Sequence, residues 1–141
     1  MSYKILFSDI DGTLLDAERT LSEKTIKVLS HLKYQFPIVL ISSRMPIQMH
    51  YLQEKAGILG MPLIAYNGAL VIDKDRKVIR STEIPFSLCQ QIVALNQQYT
   101  GGNLHISFYH FDEWYVPKAD QWAQREERNT CTTPMVKTNQ E

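Results

Sequence analysis

The 141-residue chain carries fifteen Lys and Arg against fifteen Asp and Glu, so its formal net charge is zero. Such a chain has no broad attraction for nucleic acid or anionic lipid, which favours a small partner. Its two cysteines, Cys89 and Cys131, lack CxxC spacing, which argues against a zinc cluster or a disulfide framework. No secretory signal and no apolar run of membrane-spanning length are evident, and we predict a cytoplasmic protein.

The first half of the chain alternates between strand-like and helix-like patterns. Five segments follow one another as strand, helix, strand, helix and strand: residues 3–8, 21–34, 36–42, 46–57 and 63–72. Ser22 or Thr20 is the expected cap of the first helix, while Pro46 begins the second helix and Gly57 ends it. This order predicts right-handed crossovers and a parallel sheet, an α/β, Rossmann-like doubly wound arrangement.

The second half, from about Ile79 onwards, has a different character. Residues 73–77 are predicted to be a hairpin turn that joins residues 69–72 to residues 78–84. A helix, an antiparallel strand pair and a short helix follow: residues 85–100, 104–110 with 113–117, and 121–128. The longer helix has an apolar stripe that we expect to lie in the core: Leu88, Ile92, Leu95 and Tyr99. His105 and His110 lie five apart on one predicted strand and project to opposite faces, which favours structural or exposed roles over a metal pair.

Two carboxylates end the first apolar strand. In residues 6–16, LFSDIDGTLLD, Asp9 and Asp11 fall where the strand runs out, and period-two alternation points both side chains the same way. Ligands of parallel sheets bind at the carboxyl ends of the strands. Paired carboxylates there would attract a hard cation, and their surroundings can separate them into a nucleophile and a proton carrier. Gly12 permits a sharp turn, and Thr13 offers a hydroxyl to orient a carboxylate.

Three other kinds of segment also contain closely spaced aspartates. Asp-Gly is a common turn dipeptide, but a strand followed by two aspartates, Gly and Thr exceeds what a turn needs. An EF-hand loop from Asp9 requires Gly at its sixth position and Glu at its twelfth, where this chain has Leu14 and Thr20. A receiver domain places its acceptor Asp after a later strand, whereas the later strands here end at Ser42 and Asn67.

Several motifs together resemble one family. DIDGTLLD (9–16) looks like the first motif of the haloacid dehalogenase-like phosphatases, and ISSR (41–44) looks like their Ser/Thr motif. YNGALV (66–71) is similar to the Cof-type, sugar-phosphatase-like subfamily, and ISFYHFDEWYV (106–116) is similar to a strand pair in that subfamily's cap. The resemblance runs through most of the chain.

The resemblance implies a phosphatase mechanism for the first motif. Asp9 would be the nucleophile that forms an aspartyl phosphate, and Asp11 would protonate the leaving oxygen and later activate water. Mg²⁺ would bind to Asp9 and to the backbone carbonyl of Asp11. The implied reaction is hydrolysis of small phosphorylated metabolites.

The other motifs would bind phosphate. Ser42 or Ser43 would contact the phosphoryl group, with Arg44 in support, and Asn67 and Gly68 would close the crevice wall. The family usually has Thr-Gly-Arg at this motif, so Ser in place of Gly leaves open which serine faces phosphate. Taken alone, the serines could also cap the following helix, Asn67-Gly68 could be a turn, and Arg44 could be a surface helix residue.

The resemblance also implies that the chain contains parts of two domains. Residues 1–82 would be the amino-terminal part of a phosphatase core, and residues 83–141 the first part of an α+β cap. The family's stabilising Lys and a further acidic motif cannot be assigned here, so we expect roughly the amino-terminal half of a phosphatase, inactive by itself. The alternative is a non-catalytic remnant that binds a cation or a protein. Either form would expose the edge of the first strand and could self-associate through it.

Overall fold

The computed structural model describes residues 4–137, and the chain divides into two compact units, Met1–Thr82 (unit 1) and Glu83–Glu141 (unit 2). Unit 1 contains β1 (Leu6–Asp9), α1 (Glu23–Leu32), β2 (Ile38–Ile41), α2 (Pro46–Lys55), β3 (Leu63–Ala65), β4 (Leu70–Ile72) and β5 (Val78–Ser81). Unit 2 contains α3 (Phe86–Thr100), β6 (Phe108–His110), β7 (Glu113–Val116), α4 (Gln121–Thr130) and β8 (Met135–Val136).

Unit 1 is built on a five-stranded sheet in the order β1-β2-β3-β4-β5. The first three strands run parallel, with Asp9 opposite Ile41 and Ile41 opposite Ile64. β4 and β5 extend the sheet as antiparallel neighbours. The α/β architecture predicted from the alternation of strands and helices is confirmed.

The prediction of one continuous strand over residues 63–72 was wrong. The chain turns at residues 66–68, where Tyr66, Asn67 and Gly68 have φ angles of 53°, 55° and 96°. A backbone in the left-handed region cannot continue a strand, so β4 folds back and pairs antiparallel with β3. Both strands are apolar, so the hydrophobic pattern of the sequence does not reveal the turn between them.

The core of unit 1 is centred on β2. Ile38, Val39 and Leu40 are all buried, as expected for a strand with a neighbour on each side. β1 differs, because its Phe7 remains 51% exposed, and Ile5 directly before the strand is 42% exposed. Among the described residues, β1 pairs only with β2, and its other edge has no strand beside it.

The two helices of unit 1 follow from local signals. Ser22 caps α1 by accepting a hydrogen bond from the Thr25 backbone N–H at 3.1 Å. Pro46 occupies the first turn of α2, where its missing N–H costs nothing. α2 then buries Met49 and Gln53, and the Gln53 side-chain amide donates to the Met61 carbonyl at 2.8 Å. The buried amide is thus hydrogen-bonded, as burial of a polar group requires.

Unit 2 has a three-stranded sheet in the order β6-β7-β8. β6 and β7 are antiparallel, as predicted, whereas the short β8, which pairs parallel to β7, was not predicted. The small core of this unit includes Trp114 and Val116 from β7 and Ala123 from α4, all nearly inaccessible to solvent.

The expectation that the apolar stripe of α3 lies in the core was wrong. No residue of α3 is buried, and Leu95 and Tyr99 are 51% and 74% exposed. The amphipathic pattern correctly indicated a helix, but burial also requires a second apolar surface against it.

α3 is fifteen residues long, and within residues 4–137 no helix is both long and apolar enough to cross a membrane.

His105 also departs from its predicted place. It lies in the irregular segment before β6 and not on the strand that bears His110. Its ring contacts Asp120 at 2.9 Å and Ser107 at 2.8 Å. The structural role expected for this histidine agrees with these contacts.

Candidate active site

The parallel register brings three loops to the same end of the sheet. Asp9, Ile41 and Ile64 are aligned across β1, β2 and β3, so the residues that follow each of them leave the sheet side by side. Two backbone hydrogen bonds join the later two loops, from Asn67 N–H to the Ser42 carbonyl at 3.0 Å and from Tyr66 N–H to the Arg44 carbonyl at 3.4 Å. The three predicted motifs therefore converge on one edge.

Asp9 is the last residue of β1, and its carboxylate is exposed and oriented. Thr13 Oγ1 donates a hydrogen bond to Asp9 Oδ2 at 2.9 Å. Thr13 reaches back because the chain turns tightly after Ile10, whose carbonyl accepts the Thr13 and Leu14 N–H groups at 3.3 and 3.0 Å. Gly12 makes this turn possible with a φ angle of 78°. One oxygen of Asp9 is thus fixed, and the other faces no hydrogen-bond donor among residues 4–137.

Asp11 forms a bidentate ion pair with Arg44. Arg44 Nε donates to Asp11 Oδ2 at 2.8 Å, and Nη2 donates to Oδ1 at 2.7 Å. The Arg44 side chain is only 13% exposed, whereas that of Asp11 is 39% exposed. Sequence reasoning placed Arg44 in a supporting role but did not predict this pairing. The only signal was its position two residues after Ser42, in a loop expected beside Asp11.

The ion pair sets the protonation state of Asp11. The hydrogen bonds from Arg44 hold the pKa of the Asp11 carboxyl below its ordinary value, although partial burial acts in the opposite direction. The positive charges of Arg44 and Arg19 act in the same direction as the hydrogen bonds. In this arrangement Asp11 is a carboxylate at neutral pH.

The two serines of the second loop have different environments. Ser42 is 5% exposed, and its hydroxyl oxygen accepts the Arg44 backbone N–H at 3.2 Å. That contact leaves the Ser42 hydroxyl proton able to donate to another group. Ser43 is exposed to solvent. Ser42 is therefore the serine that the loop holds in a defined position.

The third loop has a constrained backbone. Tyr66, Asn67 and Gly68 follow one another with positive φ angles, and such a conformation is costly for a bulky residue such as Tyr. The hydrogen bonds from this loop to the Ser42 loop help to keep it in place. Asn67 is the residue that this turn brings next to the Ser42 carbonyl.

The oxygen donors at this edge suit a hard cation. The donors here are the Asp9 carboxylate, whose Thr13-bound oxygen keeps a second lone pair, and the backbone carbonyl of Asp11, both of the type that Mg²⁺ prefers. The Asp11 side chain is bound to Arg44, which leaves its carbonyl as the donor. Within residues 4–137 there is no group of three or more His, Cys, Asp or Glu side chains able to hold a metal. The Asp9 and Asp11 oxygens would fit part of a Mg²⁺ coordination shell.

Comparison with known proteins identifies the family. The model of the haloacid dehalogenase-like hydrolases matches residues 6–141. This match covers nearly the whole chain and includes all three loops of the site. The resemblance inferred from the sequence motifs is therefore confirmed.

Solved structures share the fold of this chain. A protein from Thermotoga maritima is 27% identical and superposes with a TM-score of 0.82 over 96% of this chain and 49% of its own. A haloacid dehalogenase-like hydrolase from Bacteroides thetaiotaomicron is 20% identical, with a TM-score of 0.80 over 96% of this chain and 52% of its own. A sugar phosphatase of subclass IIB is 22% identical, with a TM-score of 0.72 over 96% and 52%. The chain spans about half the length of these proteins.

Proposed function

Because the chain belongs to the haloacid dehalogenase-like hydrolase family, we propose that its Asp9–Asp11 site hydrolyses small phosphate monoesters with Mg²⁺ through an aspartyl-phosphate intermediate. The observation that carries this proposal is the convergence of both aspartates with the Ser42 and Asn67 loops at the carboxyl end of parallel strands. Support for a phosphatase also comes from the sugar phosphatase among the structural neighbours.

Asp9 acts as the nucleophile in this proposal. Its exposed carboxylate is at the strand end, and Thr13 fixes one oxygen so that the other can approach phosphorus. The new oxygen–phosphorus bond forms as the ester bond breaks and the leaving alkoxide takes a proton. Water then attacks phosphorus, which releases phosphate and restores the Asp9 carboxylate.

Asp11 carries the proton in both steps. It donates to the leaving oxygen and later accepts a proton from the attacking water. The first role needs a protonated Asp11, whereas Arg44 keeps this carboxyl ionised in the structure described here. A bound phosphate ester would compete for the guanidinium of Arg44, because Arg also binds phosphate oxygens bidentately. Loosening of the ion pair on substrate binding is therefore part of the proposal.

Phosphate recognition is assigned to Ser42 and to the start of α2. The Ser42 hydroxyl can donate to a phosphoryl oxygen while its own oxygen accepts from the Arg44 N–H. The first turn of α2 has no acidic residue and no side-chain cap, so its N–H groups and helix dipole suit an anion. Asn67 and Gly68 would form the wall beside Ser42.

Mg²⁺ would be held by Asp9 and the Asp11 backbone carbonyl, and when bound it would supply the positive charge that lets a carboxylate approach an anionic ester. Unit 1 would be the amino-terminal part of the catalytic core, and unit 2 the first part of a cap that selects the substrate. We propose a cytoplasmic protein whose partner is a small phosphorylated metabolite.

The proposal is tested with Asp9→Asn, which keeps the shape of the side chain and removes its nucleophilic charge. Phosphate release from a panel of phosphate monoesters would be measured with Mg²⁺, in the chain as given and in any longer form of the protein. The matched control is Asp75→Asn, because Asp75 lies on the exposed turn between β4 and β5 and pairs with Lys74. Activity retained by Asp9→Asn, or lost equally in the control, contradicts the assignment.

A second candidate function is a non-catalytic module that binds a cation or a protein. The exposed edge of β1 gives such a module a surface for a protein partner. Mg²⁺ binding measured by calorimetry, without phosphate release in any form of the protein, would support this alternative.

A further inference from the structure

We propose that unit 2 contains a separate binding site for a small organic anion, in a cavity beside the carboxyl end of α3, with Lys118 as its charged contact. The cavity lies between the last turns of α3, the Gly101-Gly102 bend and the segment that precedes α4. All of its lining residues belong to unit 2. It is therefore distinct from the site around Asp9 in unit 1.

The size of the cavity limits the ligand to a few heavy atoms. Its volume is about 140 Å³, which exceeds the roughly 30 Å³ that one water occupies but is below the ~300 Å³ at which drug-sized pockets begin. Four apolar residues line part of the wall: Val93, Leu104, Ile106 and Pro117. A short carbon chain with one charged group fits this space.

One side of the cavity is formed by a polar chain whose groups are already paired. His105 Nδ1 contacts Asp120 at 2.9 Å, and Asp120 also accepts the Trp122 and Ala123 backbone N–H groups at 3.0 Å. His105 Nε2 contacts Ser107 Oγ at 2.8 Å. These residues form a preformed wall, and few of their hydrogen-bonding groups remain available to a ligand.

The order Ser107–His105–Asp120 has the contacts of a nucleophile relay, but two observations argue against that role. Ser107 Oγ accepts a hydrogen bond from Trp114 Nε1 at 3.0 Å, which occupies a lone pair. In the part of the chain that the structure describes, the cavity wall includes His105 and Asp120 but leaves Ser107 out. The relay thus stabilises the wall, and the cavity is a binding site and not a second hydrolase centre.

Lys118 supplies the unmatched charge of the cavity. Its ammonium lies 3.5 Å from the Gly102 carbonyl, the outer limit of a hydrogen bond, and two of its three N–H groups stay available. Within residues 4–137, Lys118 forms no ion pair, although Asp120 lines the same cavity. An ammonium of this kind attracts a carboxylate or a phosphate.

Gln97 is a second polar side chain in the wall of the cavity. Its side-chain amide lines the cavity and has no hydrogen-bond partner in the described part of the chain. It lies over Gly102, where a Cβ would approach Gln97 Oε1 to 2.8 Å and displace this flexible side chain from its present place. One cation, one amide and apolar walls together favour a short-chain carboxylate or a small phosphate ester over an amine.

The test is a titration of the full chain with butyrate, inorganic phosphate and, as the opposite charge, butylammonium. Binding would be followed by NMR shifts of the Gly101 and Gly102 amides and of the Gln97 side-chain amide. We expect saturable shifts with the two anions and none with butylammonium. Lys118→Met should weaken anion binding by about tenfold, whereas Lys137→Met, which removes another exposed lysine of unit 2, should leave it unchanged.

Asp9→Asn separates this proposal from the proposed phosphatase function. That variant should keep the anion-dependent shifts at Gly102, because the cavity does not include unit 1. The proposal is overturned if neither anion gives saturable shifts, if butylammonium gives the same shifts, or if Lys118→Met binds as tightly as the unaltered chain. Loss of the shifts in Asp9→Asn would also overturn it.

Discussion

The ion pair between Asp11 and Arg44 can be measured by a double-mutant cycle. Arg44→Met removes the guanidinium but keeps much of the apolar stem, and Asp11→Asn removes the carboxylate charge with little change of shape. The two substitutions should have unequal effects on stability, because the side chain of Asp11 is 39% exposed and that of Arg44 only 13%. Water can solvate Asp11 when Arg44 is lost, but it reaches Arg44 poorly when Asp11 is lost.

The exposed fractions of the two side chains determine how much each substitution should change the free energy of unfolding. The coupling energy of the pair should be about 1 kcal/mol, since a partly exposed bidentate pair lies at the upper end of surface salt bridges. Arg44→Met should cost roughly the same amount. Asp11→Asn should cost more, about 2 kcal/mol, because it leaves a largely buried guanidinium without its carboxylate. The specific expectation is that Asp11→Asn lowers the free energy of unfolding more than Arg44→Met does.

Urea unfolding of the two single variants, the double variant and the unaltered chain gives these values. The Asp11 pKa is lowered on folding, so the stability that the pair adds is present above the ordinary carboxyl value of 3.8 and is lost as the pH falls below it. High salt should reduce the coupling energy only in part. A coupling energy near zero at neutral pH, or a larger cost for Arg44→Met, would refute the reasoning.

Two smaller predictions follow from caps and turns. Ser22→Ala should lower the free energy of unfolding by about 1 kcal/mol, measured by urea denaturation, because the Thr25 N–H loses its acceptor; an unchanged midpoint contradicts this. Gly68→Ala should lower the free energy of unfolding by about 1 kcal/mol. A Cβ there meets no neighbour within 4 Å, so the cost comes only from the backbone strain at a φ angle of 96°. A crystal structure of the variant with an unchanged turn, together with no loss of stability, counts against this prediction.

Local sequence signals were sufficient for the alternating part of unit 1. Ser22 caps α1, Pro46 starts α2, and apolar runs mark β1 and β2, so each boundary has a cause within a few residues. The position of Asp9 at the end of β1 followed from the same signals. Once the strands are parallel, the three loops must meet at one edge.

The remaining features depend on contacts between distant residues. Asp11 and Arg44 are 33 residues apart, and their pairing requires the β1–β2 register, which no local pattern encodes. The turn at Tyr66 opposes the intrinsic preference of tyrosine and is supported by hydrogen bonds to the Ser42 loop. The stripe of α3 was mistaken for core because periodicity reports an apolar face and not what covers it.

The exposed edge of β1 leads to a prediction about assembly. In the described part of the chain β1 has one strand partner, and the backbone groups on its other side are available to a second strand. Phe7 is 51% exposed, and an apolar, unpaired edge strand is a template for pairing between chains. We therefore expect the 141-residue chain by itself to self-associate through β1.

Phe7→Lys tests this expectation, because a lysine on an edge strand resists pairing by placing a charge in the new interface. The matched control is Ile79→Lys on β5, since β5 is the other edge of the same sheet and Ile79 is 65% exposed. Size-exclusion chromatography with light scattering should show dimers or larger species for the unaltered chain and for Ile79→Lys, and a shift towards monomer for Phe7→Lys. A chain that is monomeric at every concentration, or one that Ile79→Lys dissociates equally well, would show that the β1 edge is not the contact.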